Sequence, residues 1–136
     1  MLVQKFMQSP VTSITPLTTV RAAATLMKAL DIGCLAICEN DRPVGILTDR
    51  DIVIRWVPDA DQDAPVASIM SADVQVCRSD HTITQAANQM GDIRLHRLLV
   101  LDGDDRLVGI LTLGDIARDA SEELAGQTLG EIVEPR

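Results

Sequence analysis

Two stretches of this 136-residue chain set a threonine and an aspartate three positions apart, behind a glycine and an apolar pair. They are Gly45-Ile46-Leu47-Thr48-Asp49-Arg50-Asp51 and Gly109-Ile110-Leu111-Thr112-Leu113-Gly114-Asp115. In both, an apolar strand pattern gives way to a helical one at the threonine. The first turn of a helix carries free N–H groups and a partial positive charge, which favour a phosphate. A threonine hydroxyl there donates to a phosphate oxygen. A carboxylate one turn on accepts two hydrogen bonds, as many as the adjacent hydroxyls of a ribose offer. Hydroxyl, carboxylate and helix end together make a ribose-phosphate reader. The same residues also make a near capping box, in which both side chains only satisfy the helix's own N–H groups. The two roles are compatible, since a ligand takes over N–H groups otherwise left to water.

The elements that must position these residues are written twice. Val3-x-x-x-Met7 returns sixty-three residues on as Val66-x-x-x-Met70, and Val11, Thr19, Ala23-Ala24 and Met27 return as Val74, Thr82, Ala86-Ala87 and Met90. One extra residue enters near Asp104, after which Val44 to Thr48 reappears letter for letter as Val108 to Thr112. Such self-similarity decides the reading of the whole chain. In each copy a short strand (Val11 to Ile14 in the first) leads to a threonine-capped helix. Its apolar positions Val20, Ala23, Ala24, Met27 and Leu30 follow the spacing of one buried face. Leu35 to Cys38, the turn Asn40-Asp41-Arg42 and Val44 to Leu47 predict a hairpin, and Thr48 opens a second helix to about Val57. The order β-α-β-β-α then recurs from Val74 to about Arg118. The expected organisation is a first repeat at 1–57, a proline-bounded acidic linker at 58–65, a second repeat at 66–120 and a tail at 121–136. That tail carries Gly126 and Gly130 and is expected to be helical only when docked.

Two β-α-β-β-α units, each ending in G-x-x-T-x-x-D and opening on Val-x-x-x-Met, resemble a pair of cystathionine-β-synthase (CBS) domains, often called a Bateman module. The resemblance spans about residues 2 to 120. It implies an α/β (α+β) fold in which the tandem repeats pack about a pseudo-twofold axis with two clefts between them. It also implies a regulatory sensor of an adenine nucleotide (AMP, ADP or ATP, also NAD or S-adenosylmethionine) and a disc-like homodimer, without catalysis. Carried over residue by residue, it makes Thr48 with Asp51, and Thr112 with Asp115, the two ribose-phosphate anchors. His96-Arg97 matches a position whose basic residues commonly reach the phosphate held by the other repeat, where the first repeat has Gly33-Cys34. Thr15 matches a hydroxyl that often contacts phosphate, and Arg78 stands at its counterpart in the second repeat. The Thr48/Asp51 cleft is therefore expected to be the better of the two. Two departures are Ala36 and Leu99, where the family often has proline, and Leu113-Gly114 in place of Asp49-Arg50.

Composition narrows the alternatives. With 20 acidic against 12 basic residues the net charge is −8, and the only aromatics are Phe6 and Trp56. A nucleic-acid polymer asks for a basic stripe or stacking aromatics, so such a partner is not expected. The N-terminus lacks a secretory apolar segment and no apolar run has membrane-spanning length, which predicts a cytoplasmic protein. Cys34, Cys38 and Cys77 are an odd count that suits reduced thiols, and the spacing of cysteines and histidines predicts no metal site. Asp102-Gly103-Asp104-Asp105 lacks the EF-hand spacing and reads as a hairpin turn. The nearly all-apolar Ile52-Val53-Ile54-Arg55-Trp56-Val57, with Leu113 to Ala117, is expected to serve self-association. The expected ligand is the nucleotide alone, as a regulator with no required cofactor, and the effector would be an unidentified protein. The rival is a ligand-free interaction module whose T-x-x-D segments are only caps.

Overall fold

The computed structural model describes residues 1–135. Its chain divides into two compact units, Thr12–Val74 and Met1–Val11 with Gln75–Arg136. The sequence repeats run 1–57 and 66–120, so repeat and unit are offset. The opening segment of each repeat belongs to the unit built by the other.

The unit Thr12–Val74 holds β1 (Ser13–Ile14), α1 (Val20–Leu30), β2 (Cys34–Glu39) and β3 (Arg42–Thr48), followed by α2 (Asp49–Asp51). Its sheet order is β1-β2-β3, with β2 parallel to β1 and antiparallel to β3. Thr19 starts α1 by accepting the Ala22 N–H at 3.1 Å. The helix stops at Asp31, which adopts a left-handed φ of 54°, while Ile32 N–H returns to the Met27 carbonyl at 3.0 Å. The hairpin turn narrows to Asn40 and Asp41, with φ of 51° and 65°, the pair of positive values that matches strand twist. Val20, Ala23, Met27, Leu35, Ile37 and Leu47 fill the core between α1 and the sheet.

The second unit repeats the plan with β4 (Val76–Arg78), α3 (Ile83–Ile93), β5 (Arg97–Leu101), β6 (Leu107–Thr112) and α4 (Leu113–Asp115), in sheet order β4-β5-β6. Thr82 and Gln85 form a full capping box at the head of α3. The second helix of each unit, expected to run to about Val57 and Arg118, widens after one turn. Ile52–Trp56 and Ile116–Ala120 are π-helical, with Val57 N–H on Ile52 carbonyl at 3.0 Å and Ser121 N–H on Ile116 carbonyl at 2.7 Å. The tail forms α5 (Glu122–Val133), capped by Ser121 and docked against α3 with Ala125 and Thr128 buried. Its two glycines face open space.

The exchanged segments are seated by backbone. Val3 and Val66 are wholly buried, each at the head of a single 3₁₀ turn. Ser71 and Ile46 exchange both backbone hydrogen bonds (2.9 and 3.0 Å), as do Gln8 and Ile110 (2.8 and 3.0 Å). A Cβ on Gly45 would run into the Met70 sulfur and lie 3.2 Å from the Ser71 carbonyl oxygen. One on Gly109 would meet Met7 and lie 3.2 Å from the Gln8 oxygen. The glycine of each G-x-x-T segment thus serves the close approach of the exchanged strand. Replacing Gly45 by alanine should cost about 1–3 kcal/mol through overpacking. The check is a chemical-denaturation midpoint, which should fall with the slope unchanged.

Candidate functional site

Each threonine caps its helix, and each aspartate closes the box. Thr48 Oγ1 accepts the Asp51 N–H at 3.2 Å, and Asp51 Oδ2 accepts the Thr48 N–H at 2.9 Å. Thr112 and Asp115 do the same at 3.1 and 2.9 Å. Thr48 Oγ1 also donates to Asp51 Oδ2 at 3.1 Å. Capping is therefore part of both motifs, set by the strand-to-helix turn that the sequence encodes.

The two carboxylates differ at their second oxygen. Asp51 Oδ1 has Arg55 Nε 3.9 Å away, beyond hydrogen-bond reach, while Arg55 Nη1 donates to the Ile69 carbonyl at 3.1 Å. Asp115 Oδ1 accepts from Gln8 Nε2 at 3.1 Å and from Arg118 Nη2 at 2.8 Å. The Asp51 side chain keeps 13% of its surface exposed and that of Asp115 2%. The sequence reading missed Gln8, Arg118 and Arg55. The one signal available was that Ser71 and Ile54 stand at the repeat positions of Gln8 and Arg118.

The other expected site residues are distributed unevenly. Register sets Cys34 opposite Thr48 and Arg97 opposite Thr112. Gly33 and His96 accept the N–H of Asp49 and Leu113 through their carbonyls at 2.9 and 2.8 Å. His96 is exposed and Arg97 half-buried, and Arg97 takes part in none of the ion pairs among the described residues. Thr15 follows Ile14, which is paired with Ile37, so it lies at the far end of β2 from Cys34 and Thr48, about 13 Å along the strand. Its hydroxyl is 3.3 Å from that of Thr18. Arg78 is paired with Leu101, at the other end of β5 from Thr112. Its guanidinium donates to the Asp102 carbonyl at 2.9 Å and pairs with Asp105. The structure therefore joins Thr48 to Asp51 and Thr112 to Asp115, but it brings neither Thr15 nor Arg78 to the threonine–aspartate pair of its own unit.

The CBS domain family model matches residues 3–56 and 66–122. This chain belongs to the CBS domain family. It is 33% identical over 132 residues to the CBS domain-containing protein YhcV of Bacillus subtilis, covering 96% of this chain and 94% of that one. Among solved structures it is similar to CBSX2 in complex with AMP, with a TM-score of 0.75, 25% identity, and 88% and 95% of the two chains covered. It is likewise similar to the CBS domain pair of protein MJ0100, in complex with 5′-methylthioadenosine and S-adenosyl-L-methionine. There the TM-score is 0.75, the identity 26%, and the coverage 87% and 94%.

Several signals in this CBS pair are structural. Leu99 donates its N–H to the Gln75 carbonyl at 3.2 Å, a bond that a proline there could not make. Asp102 Oδ1 accepts the N–H groups of Asp104 (2.8 Å) and Arg106 (3.0 Å), and these bonds hold its carboxyl below the usual range. Among the described residues no cluster of three or more His, Cys, Asp or Glu could hold a metal ion. No helix of the described residues is long and apolar enough to cross a membrane. Cys34 and Cys38 lie on one strand, too far along it for a disulfide. Burial pushes the Cys38 thiol up and that of Cys77 to about 11. At pH 8 only about one Cys77 in a thousand would be thiolate, the reactive form. Iodoacetamide on the native protein at that pH should leave Cys77 unmodified by peptide mass mapping, and modify it fully after denaturation.

Proposed function

We propose that this CBS pair is a regulatory module that binds an adenine nucleotide at Thr48 and Asp51 and answers by a conformational or oligomeric change. The observation that carries the reading is the Oδ1 of Asp51, which faces Arg55 only across a 3.9 Å ion pair and accepts no hydrogen bond among the described residues, partly exposed beside a capped helix start. That oxygen can accept from ribose hydroxyls while Oδ2 keeps the cap, so binding need not unmake the helix. Thr48 would offer its hydroxyl to the phosphate. AMP in CBSX2, and 5′-methylthioadenosine and S-adenosyl-L-methionine in MJ0100, show that similar pairs accept adenosine compounds. A ligand moves such a module only by its difference in affinity for two arrangements.

The completeness of both capping boxes favours a second reading, a ligand-free interaction module. Asp51→Asn separates the two. Asparagine retains an acceptor for the Thr48 N–H but loses the carboxylate. A thermal-shift screen against AMP, ADP, ATP, NAD and S-adenosylmethionine at about 1 mM should raise the midpoint of the native protein, by about 2.7 kcal/mol of added stability at 100 times the Kd. Asp51→Asn should fold and melt close to the native protein and bind ten- to a hundredfold more weakly, the size of a hydrogen bond to a charged group. A flat screen of ligand-free protein would establish the interaction module instead.

The response surface we assign is a homodimer contact on the unit Thr12–Val74. Val53 and Ile54 are each 60% exposed and Val57 51%, three aliphatic side chains on one π-helical turn. Their repeat counterparts are Ala117, Arg118 and Ser121, so the second unit has no such ridge. An apolar cluster of this kind is a common mark of an interface. Light scattering at micromolar concentration should give a dimeric mass for the native protein and a monomeric one for Ile54→Asp. A monomeric native protein overturns this assignment.

A further inference from the structure

The geometry points to one nucleotide per chain, with Gln8 as the residue that closes the second anchor. The inference rests on the nucleotide-binding reading above and goes beyond it, because the sequence motif is intact in both repeats. A ribose-reading carboxylate needs a free oxygen. Asp115 has none. Its Oδ2 holds the Thr112 N–H at 2.9 Å, and its Oδ1 is filled by Gln8 Nε2 at 3.1 Å and Arg118 Nη2 at 2.8 Å. Gln8 Nε2 is also 3.4 Å from Oδ2, so the amide straddles the carboxylate. The Asp115 side chain keeps only 2% of its surface exposed, whereas that of Asp51 keeps 13%.

The closure comes from the exchanged segment, not from the motif. Gln8 reaches Asp115 because its backbone pairs with Ile110, five residues before that aspartate on the continuing chain. Ser71 makes the same backbone pair with Ile46, five residues before Asp51. A serine side chain reaches two heavy atoms beyond Cα and a glutamine four. At equivalent backbone positions only the glutamine carries a donor as far as the carboxylate. Arg118 adds a second donor where the first repeat has Ile54. To bind at Asp115, a ribose would have to displace both donors and leave a nearly dry carboxylate that has lost a cation. Gln8 is therefore a specificity-determining residue, and Gln8→Ser with Arg118→Ile rebuilds the first repeat's open arrangement in the second unit.

Calorimetric titration tests this with AMP and with adenosine, the latter asking for no phosphate partner. The native protein should take up one ligand per chain. Gln8→Ser/Arg118→Ile should take up two, with the original site's affinity kept within about twofold. The single variant Gln8→Ser, which keeps the ion pair on Asp115, serves if the double variant does not fold, and should show a second, weaker site. Two ligands per chain in the native protein, or one in both variants, overturns the inference and leaves the nucleotide-binding reading standing. No uptake of AMP or adenosine by the native protein, with none by Asp51→Asn, overturns that reading and this inference together.

Discussion

The seating of each repeat's opening segment on the glycine-bearing strand of the other repeat is the contact on which the rest depends. Gly45 and Gly109 give up a side chain so that Met70-Ser71 and Met7-Gln8 can approach to backbone hydrogen-bond distance. Val3 and Val66 then fall into the cores, wholly buried, and complete hydrophobic clusters that neither repeat could close with its own residues. The strand so held ends at Thr48 or Thr112, and this fixes where each helix begins. Core, helix start and carboxylate are thus positioned by one close approach.

The same approach explains how two nearly identical motifs acquire different chemistry. Capping consumes one oxygen of each aspartate and leaves the second to its surroundings. In the unit Thr12–Val74 serine stands at the position equivalent to Gln8, and Arg55 lies 3.9 Å from the second oxygen while donating to the Ile69 carbonyl. In the other they are Gln8 and Arg118, which saturate the carboxylate. A buried carboxylate with a full set of donors is a structural element, because an entering ligand must replace every bond it breaks. A carboxylate with a spare oxygen at the surface is available at little cost.

A net charge of −8 does not oppose a small anionic ligand at such a place. Exposed charges more than about 8–10 Å away are screened at physiological ionic strength, while a helix start acts at contact distance. The same charge does work against a long polyanion, which would sample the whole acidic surface.

The repeat, the β-α-β-β-α order, the hairpins and the caps at Thr19, Thr48, Thr82 and Thr112 were legible in the sequence, because each depends on local spacing and local hydrogen bonds. Both Thr-x-x-Asp boxes formed for that reason. What lay beyond the sequence was long-range. The offset between repeat and unit arises because Val3 and Val66 find a cavity far along the chain. The π-helical widening after Asp51 and Asp115 has no signature in apolar periodicity. Arg78 and Thr15 were placed by analogy with a motif position, and strand register sends both to the far end of the sheet. The sequence by itself determined that there would be two carboxylates behind two helix caps. Only the tertiary structure decided which of them keeps a free oxygen, since the donors that fill Asp115 include one from a residue 107 positions away.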